Sequence, residues 1–263
     1  MKKIAIIGLL SLAAAGAFAQ GTLVFANDVP GTIVTHIYSP DPTTPSVMTQ
    51  GNSAIDTPVG STVYNGSLVG GATGTEPAGA LSAPYNTSLI NYTYGNNFTA
   101  QIYAIVNVSG AAQPWSSLQP VSSYITTLAT SANPGAGFII LGNLTPDPGI
   151  PNTGYDAINQ VIDNRATISL AAWYNAGGTI NSVAAASAAH VPYGWSTPAN
   201  LAGLGEPASV ETAYNGSPSG ATQAKNPIGI TSFDLAIAPI PEPSTIALGV
   251  LGACAFVARR RKS

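Results

Sequence analysis

The sequence predicts an all-β protein: a single β-sandwich of jelly-roll or immunoglobulin-like type with one short helix. An N-terminal signal peptide and a C-terminal transmembrane helix flank this body. Three observations predict it. Period-two alternation of side chains recurs along the body, in runs rich in β-branched and aromatic residues. Gly, Pro, Asn and Ser bound those runs and dominate the connections between them. The two ends depart from the body in composition, each pairing an apolar run with basic residues.

Residues 1–19 read as the signal peptide. Lys2 and Lys3 form a positive start, residues 4–15 an apolar stretch, and Ala17-Phe18-Ala19 the small residues that signal peptidase accepts. The cut falls between Ala19 and Gln20. An uncleaved anchor is the alternative, and this apolar run of twelve residues is short for spanning a bilayer.

Residues 20–238 form the expected sandwich domain. In 33–38, Ile33, Thr35 and Ile37 share one face while Val34, His36 and Tyr38 share the other. Thr62-Val63-Tyr64, Asn65-Gly66 and Ser67-Leu68-Val69 carry the signature of a type I′ hairpin. Phe98, Ala100, Ile102, Ala104 and Val106 alternate along one strand, and Ala166, Ile168, Leu170, Ala172 and Tyr174 along another. The alanine-rich segment 182–190 predicts the one helix, capped by Asn181 or Ser182 and stopped before Pro192. Phe233, Leu235 and Ile237 alternate in a last strand. Residues 39–58 and 70–84 are long Gly/Pro/Ser/Thr connections. Short strands with turn-rich connections fit a sandwich.

Residues 239–263 carry their own logic. Pro241-Glu242-Pro243 precedes an apolar stretch, 244–258, which ends in Arg259, Arg260, Arg261 and Lys262. As a helix those fifteen residues span about 22 Å, less than a bilayer core of about 30 Å. Long basic side chains can snorkel, and the cluster is expected on the cytoplasmic side. A weak stop-transfer helix and a buried core helix both fit this run, and four consecutive terminal cations favour the first.

The order Pro241-Glu242-Pro243-Ser244-Thr245, apolar helix and Arg-rich end resembles the sorting signal of PEP-CTERM proteins of Gram-negative bacteria. The resemblance covers about the last 25 residues of the chain. It implies recognition by exosortase, a membrane cysteine transpeptidase-like enzyme, and removal of the tail near Pro241, Glu242 and Pro243. It also implies delivery of the body to the outer surface or the exopolysaccharide matrix. The body is similar to a recurrent class of such proteins in Gly21-Thr22-Leu23-Val24-Phe25-Ala26-Asn27, in Phe98-Thr99-Ala100-Gln101-Ile102-Tyr103 and in Ala171-Ala172-Trp173-Tyr174-Asn175-Ala176-Gly177-Gly178-Thr179. That class brings no established activity with it.

Composition narrows the function. Charged residues make up 7% of the chain, against about 25% in ordinary soluble domains. The surface is therefore built from uncharged polar groups. Residues 20–238 hold only Arg165 and Lys225 against ten Asp and Glu, a net charge of −8. A body without a basic stripe lacks what phosphate neutralisation requires, so nucleic acid is not an expected partner. The single cysteine, Cys254, lies in the C-terminal apolar run, so the body has no disulfide to lean on.

No motif identifies a reaction. Asp147, Asp156 and Asp163 fall in one segment without the calcium-loop spacing that would make them ligands. His36 and His190 are the only histidines, too few for a zinc site in a body without cysteine. Gly194-Trp195-Ser196 does not match a nucleophile elbow. The expectation is a protein that is not an enzyme and uses no metal or cofactor. Trp115, Trp173 and Trp195 are candidate platforms for stacking against sugar rings, weighed against simple core packing.

The sequence thus predicts an exported surface or matrix protein with a structural or adhesive role. A carbohydrate-binding module for exopolysaccharide is the second reading, and a secreted hydrolase the third. Expected partners are signal peptidase, exosortase, the membrane through the C-terminal helix, and polysaccharide. The expected route runs from an inner-membrane-anchored precursor to the cell envelope, outer surface or extracellular matrix.

Overall fold

Residues 98–106 and 165–174 contain enough alternating apolar side chains to pair over their whole length, and they form the centre of the protein. The computed structural model describes residues 23, 25–29, 31–106, 111–140, 154–155, 162–163, 165–202 and 229–239. The signal peptide and the segment from 240 onward lie outside these residues. Eleven strands are described: β1 (Asp28–Val29), β2 (Ile33–Val34), β3 (Ile37–Tyr38), β4 (Phe98–Val106), β5 (Gln119–Thr127), β6 (Gly154–Tyr155), β7 (Ile162–Asp163), β8 (Arg165–Tyr174), β9 (Tyr193–Trp195), β10 (Ala199–Ala202) and β11 (Phe233–Asp234). Two short helices, α1 (Ala78–Leu81) and α2 (Val183–Ala188), accompany them. The described residues are all-β in character.

The main sheet is antiparallel, in the order β10-β8-β4-β5, with β9 also pairing with β8. β4 and β8 run in unbroken register from Phe98 opposite Tyr174 to Val106 opposite Ala166. One face therefore aligns Phe98, Ala100, Ile102 and Ala104 with Tyr174, Ala172, Leu170 and Ile168, all of them buried. The opposite face of β8 is buried too, through Ser169, Ala171 and Trp173. A strand covered on both sides reads as a run of small and apolar residues, which is how Ala166 to Trp173 reads.

β9 and β10 share the free edge of β8, and Ser196 joins them. Its N–H donates to the Leu170 carbonyl at 2.8 Å, and its hydroxyl accepts from the Leu170 N–H at 3.0 Å. The side chain thus supplies the ladder bond that the backbone gives up where the strand is interrupted.

One face of the sheet packs under short strands. Phe25 meets Tyr124 edge to face at 5.7 Å, and the Tyr124 hydroxyl accepts from the Leu23 N–H at 3.3 Å. β1 pairs with β2, and β3 runs parallel to β11. Asn27 holds this layer together: its amide donates to the carbonyls of Thr35 and Gly137 at 2.8 and 3.0 Å. Its side-chain oxygen accepts from Ile139 N–H at 3.0 Å.

The short-strand layer is joined to the main sheet at both edges. Tyr193 and Ala236 exchange backbone bonds of 2.9 and 2.7 Å beside β9. A Cβ at Gly194 would collide with the Asp234 carbonyl, so glycine permits this approach. At the other end Leu128 bridges Ile139, while Gly137 donates to Val69 and accepts from Ile37. The described elements are thus mostly strands: one antiparallel sheet joined to a set of two-residue strands and single bridges.

Two local expectations are corrected. Residues 62–69 form no hairpin: Thr62 bonds Asn52, and Ser67 and Val69 pair instead with Ser39 and Ile37 beside β3. Tertiary pairing outweighs the Asn65-Gly66 turn preference, helped by the parallel stacking of Tyr64 on Tyr38 at 4.2 Å. The alternating run 33–38 is split into β2 and β3, with His36 and Thr35 between them engaged elsewhere.

Candidate functional site

The second face of the main sheet carries the aromatic residues. Helix α2 covers part of it, capped by the Ser182 hydroxyl, which accepts from Ala185 N–H at 3.1 Å. Val183 and Ala186, three residues apart on the inward side, are buried against the sheet. His190 follows the helix in a left-handed conformation, φ 55°, and its Nδ1 lies 3.0 Å from the Ala238 carbonyl.

The structure brings Trp115 and Trp195 together and sets Trp173 apart. Trp115, from a turn at Trp115–Ser117, lies flat on Trp195 of β9, with ring centres 4.3 Å apart and planes 4° from parallel. Tyr103 of β4 lies tilted against Trp115, with ring centres 4.6 Å apart and planes 40° from parallel, and Tyr193 lies beside Trp195 at 6.0 Å. Trp115, Trp195 and Tyr193 are half-buried. Trp173 is 0% exposed, and its indole N–H donates to the Ile180 carbonyl at 3.0 Å. Its proposed role as a sugar platform is therefore corrected: both ring faces are committed to the core.

Between this stack and α2 lies a cavity of about 310 Å³. Tyr103, Trp115, Leu118, Tyr193 and Trp195 line one side, and Val183, Ala184 and Ser187 the other, with Ser116 at the rim of the turn. No charged residue is among them. Burial raises the Tyr103 phenol pKa, only partly offset by its hydrogen bond to Val183, so it stays protonated under ordinary conditions. Sequence reasoning missed Tyr103 and Tyr193. The signal was present, since Tyr103 lies on the side of β4 opposite Ile102, facing the same way as Trp173 on β8.

A second polar cluster is unforeseen by any spacing. His36 Nδ1 lies 2.7 Å from Asp56 Oδ1, and the Ser232 hydroxyl donates to Asp56 Oδ2 in a short contact. The Ser232 oxygen in turn accepts from the His36 N–H at 2.8 Å. Asp56 and Ser232 are fully buried. Serine, histidine and aspartate are all present, but in the wrong order for nucleophilic catalysis. That chemistry needs the imidazole between hydroxyl and carboxylate; here the carboxylate stands between the other two. The cluster ties β3, residues 51–60 and the entry to β11 together.

Asp234 of β11 is the other perturbed acid. It is 1% exposed and accepts from the Thr49 N–H. Desolvation raises its pKa from 3.8 to about 6, against the lowering effect of the Thr49 hydrogen bonds. Glu76, buried and bonded by both oxygens to the Asn91 N–H at 2.9 and 3.1 Å, is raised by the same cause. Among the described residues no group of three or more His, Cys, Asp or Glu could hold a metal ion. Of the three acids noted in the sequence, Asp163 sits in β7 opposite Gly154, while Asp147 and Asp156 lie outside the described residues.

The sorting residues also lie outside the described residues: Ala17, Ala19 and Gln20 at one end, and Pro241, Glu242, Pro243, Arg259, Arg260, Arg261 and Lys262 at the other. Among the described residues no helix is long and apolar enough to cross a membrane; the predicted span at 244–258 falls beyond them.

Among the described residues the body is all-β, with an uncharged aromatic cavity on one face of its main sheet. The C-terminal residues say more. Residues 239–262 match the PEP-CTERM protein-sorting motif. The chain carries that motif, which implies recognition by exosortase and, with it, export and membrane-associated sorting. No curated protein and no solved structure matches the chain.

Proposed function

We propose that the protein is a non-enzymatic component of the cell surface or extracellular matrix, structural or adhesive in role, delivered there by exosortase-dependent sorting. The observation that carries this reading is the sorting motif at residues 239–262. Signal peptidase cleaves between Ala19 and Gln20, and exosortase removes the tail near Pro241, Glu242 and Pro243. The cationic end from Arg259 to Lys262 keeps the precursor oriented until then. Residues 20–238 act as one sandwich-like domain. Its surface is mostly uncharged polar groups, and the few charges on it are mainly acidic, ten Asp and Glu against Arg165 and Lys225.

The Asp-centred order of His36, Asp56 and Ser232 leaves the serine hydroxyl bound to carboxylate rather than activated by imidazole, so this cluster holds the fold together and is not a nucleophilic triad.

The intact mass of the mature protein, from its native host with and without exosortase, tests the proposal. The expected result is loss of both ends only where exosortase is present. Replacing Pro241, Glu242 and Pro243 with alanine should leave export intact while the tail persists. A tail retained in the wild-type protein with exosortase present would refute the delivery step.

A further inference from the structure

The cavity beside the Trp115–Trp195 stack is unused by sorting, and it has the properties of a ligand site. At about 310 Å³ it lies at the lower end of small-molecule pockets, which begin near 300 Å³. Its wall combines aromatic rings and aliphatic surface from Leu118, Val183 and Ala184 with the hydroxyls of Ser116, Ser187 and Tyr193. That mixture, broad apolar contact plus a few polar groups to fix orientation, is how orientation-specific pockets are lined.

We propose that this cavity binds an uncharged sugar residue of an extracellular polysaccharide. The inference deepens the adhesive reading above, and rests on it for the source of the ligand. Three observations favour that occupant over others. First, no charged side chain lines the cavity, and residues 20–238 carry a net charge of −8, so a polyanion would be repelled with nothing to pair it. Second, among the described residues no acceptor is bonded to the indole N–H of Trp115 or Trp195, whose rings meet other rings, stacked or tilted. An indole N–H only donates, and a hydroxyl-rich ligand brings acceptors to it. Third, the wall is held in advance. Trp195 sits in β9, paired with Ala171 of β8, its carbonyl accepts from the Gln50 amide at 2.6 Å, and stacking fixes Trp115 upon it. Little ordering remains to oppose binding, which is what preorganisation contributes.

The apolar C–H face of a pyranose meets the aliphatic and aromatic wall, and its hydroxyls meet Ser116, Ser187, Tyr193 and the indole donors. Trp173, buried in the sheet, takes no part.

The test uses the mature protein and the native host's extracellular polysaccharide, separated by anion exchange into neutral and anionic fractions. Affinity electrophoresis reads retardation in each fraction, and indole emission reads titration. The neutral fraction should retard the wild type, and W115A should weaken binding at least tenfold. Because Trp115 also supports the core, a second variant is needed. Ala184 is exposed on α2, so A184Y narrows the cavity without removing a core contact, and should weaken binding equally. No retardation by the neutral fraction, equal retardation by the anionic one, or wild-type binding by A184Y would overturn the proposal. Correct tail removal without glycan retention would remove this site and leave the delivery reading standing. Retention by a protein whose tail persists would do the reverse.

Discussion

Replacing Asp234 with asparagine separates the cost of burying a charge from the hydrogen bond that charge makes. The carboxyl pKa is raised from 3.8 to about 6, chiefly by desolvation, with a smaller push from the Asp41 charge. The folded chain therefore holds this proton more tightly than the unfolded one. Its contribution to stability is complete below about pH 4 and is lost as pH rises through 6. Converted directly, a shift of that size is about 3 kcal/mol. Asp234 itself is buried, but Thr49 beside it is half-buried, and relaxation of the surroundings around the ionised form, which gives even buried sites a high effective dielectric, brings the expected effect to on the order of 1–2 kcal/mol. Asparagine keeps an oxygen to accept the Thr49 N–H and carries no charge. D234N should match the wild type near pH 3.5 and exceed it by about 1–2 kcal/mol at pH 8. Urea unfolding followed by indole emission at both pH values measures this, with the dependence on urea unchanged. Glu76, raised by burial in both proteins, cancels from the comparison. An offset that is the same at both pH values, or a variant weaker at pH 8, would refute the reasoning.

Two further substitutions probe the polar interior. D56A leaves His36 and Ser232 without their shared acceptor, and should lower the unfolding free energy by about 3 kcal/mol or more, read from the urea midpoint. W173F removes the indole bond to Ile180 and leaves a buried carbonyl short of a partner, costing about 1–3 kcal/mol. The same unfolding curves report it, with the near-ultraviolet dichroism showing whether the core stays ordered.

How much of this was legible depended on the range over which each feature is determined. The two central strands were visible because pairing partners 98–106 and 165–174 both alternate, and the structure keeps those boundaries within a residue. The helix was visible because Ser182 caps it through its own neighbour three residues on. β5 was not visible. Pro120 is its second residue and Ser and Thr fill much of it, so its pattern is weak and pairing with β4 decides its form. The Asn65-Gly66 signal misled because it reports only local turn preference, while the chain nearby found better hydrogen bonds along β3. The cavity was half legible: Trp115 and Trp195 were noted, but their stacking joins a turn to a strand about 80 residues away, a separation no periodicity encodes.

The scarcity of charge explains how the long loops are held. A body with so few ions cannot pin its connections with surface salt bridges, and among the described residues His36 and Asp56 form the sole ion-pair geometry, buried. The work passes to amides and hydroxyls bonding backbone groups. Asn175 donates to Asn96 and Thr99 and accepts from Gly177; Gln101 donates to the Val121 carbonyl; Asn27 and Ser196 do the same in the two layers. Such bonds are short-ranged and not screened by salt, whereas exposed ion pairs separated by more than about 10 Å fade at ordinary ionic strength. An exported protein exposed to uncontrolled salt gains from that substitution, since its loops stay fixed by contacts that the medium does not weaken. The same choice shapes the cavity, whose lining of aromatic rings, aliphatic side chains and serines contains no ion.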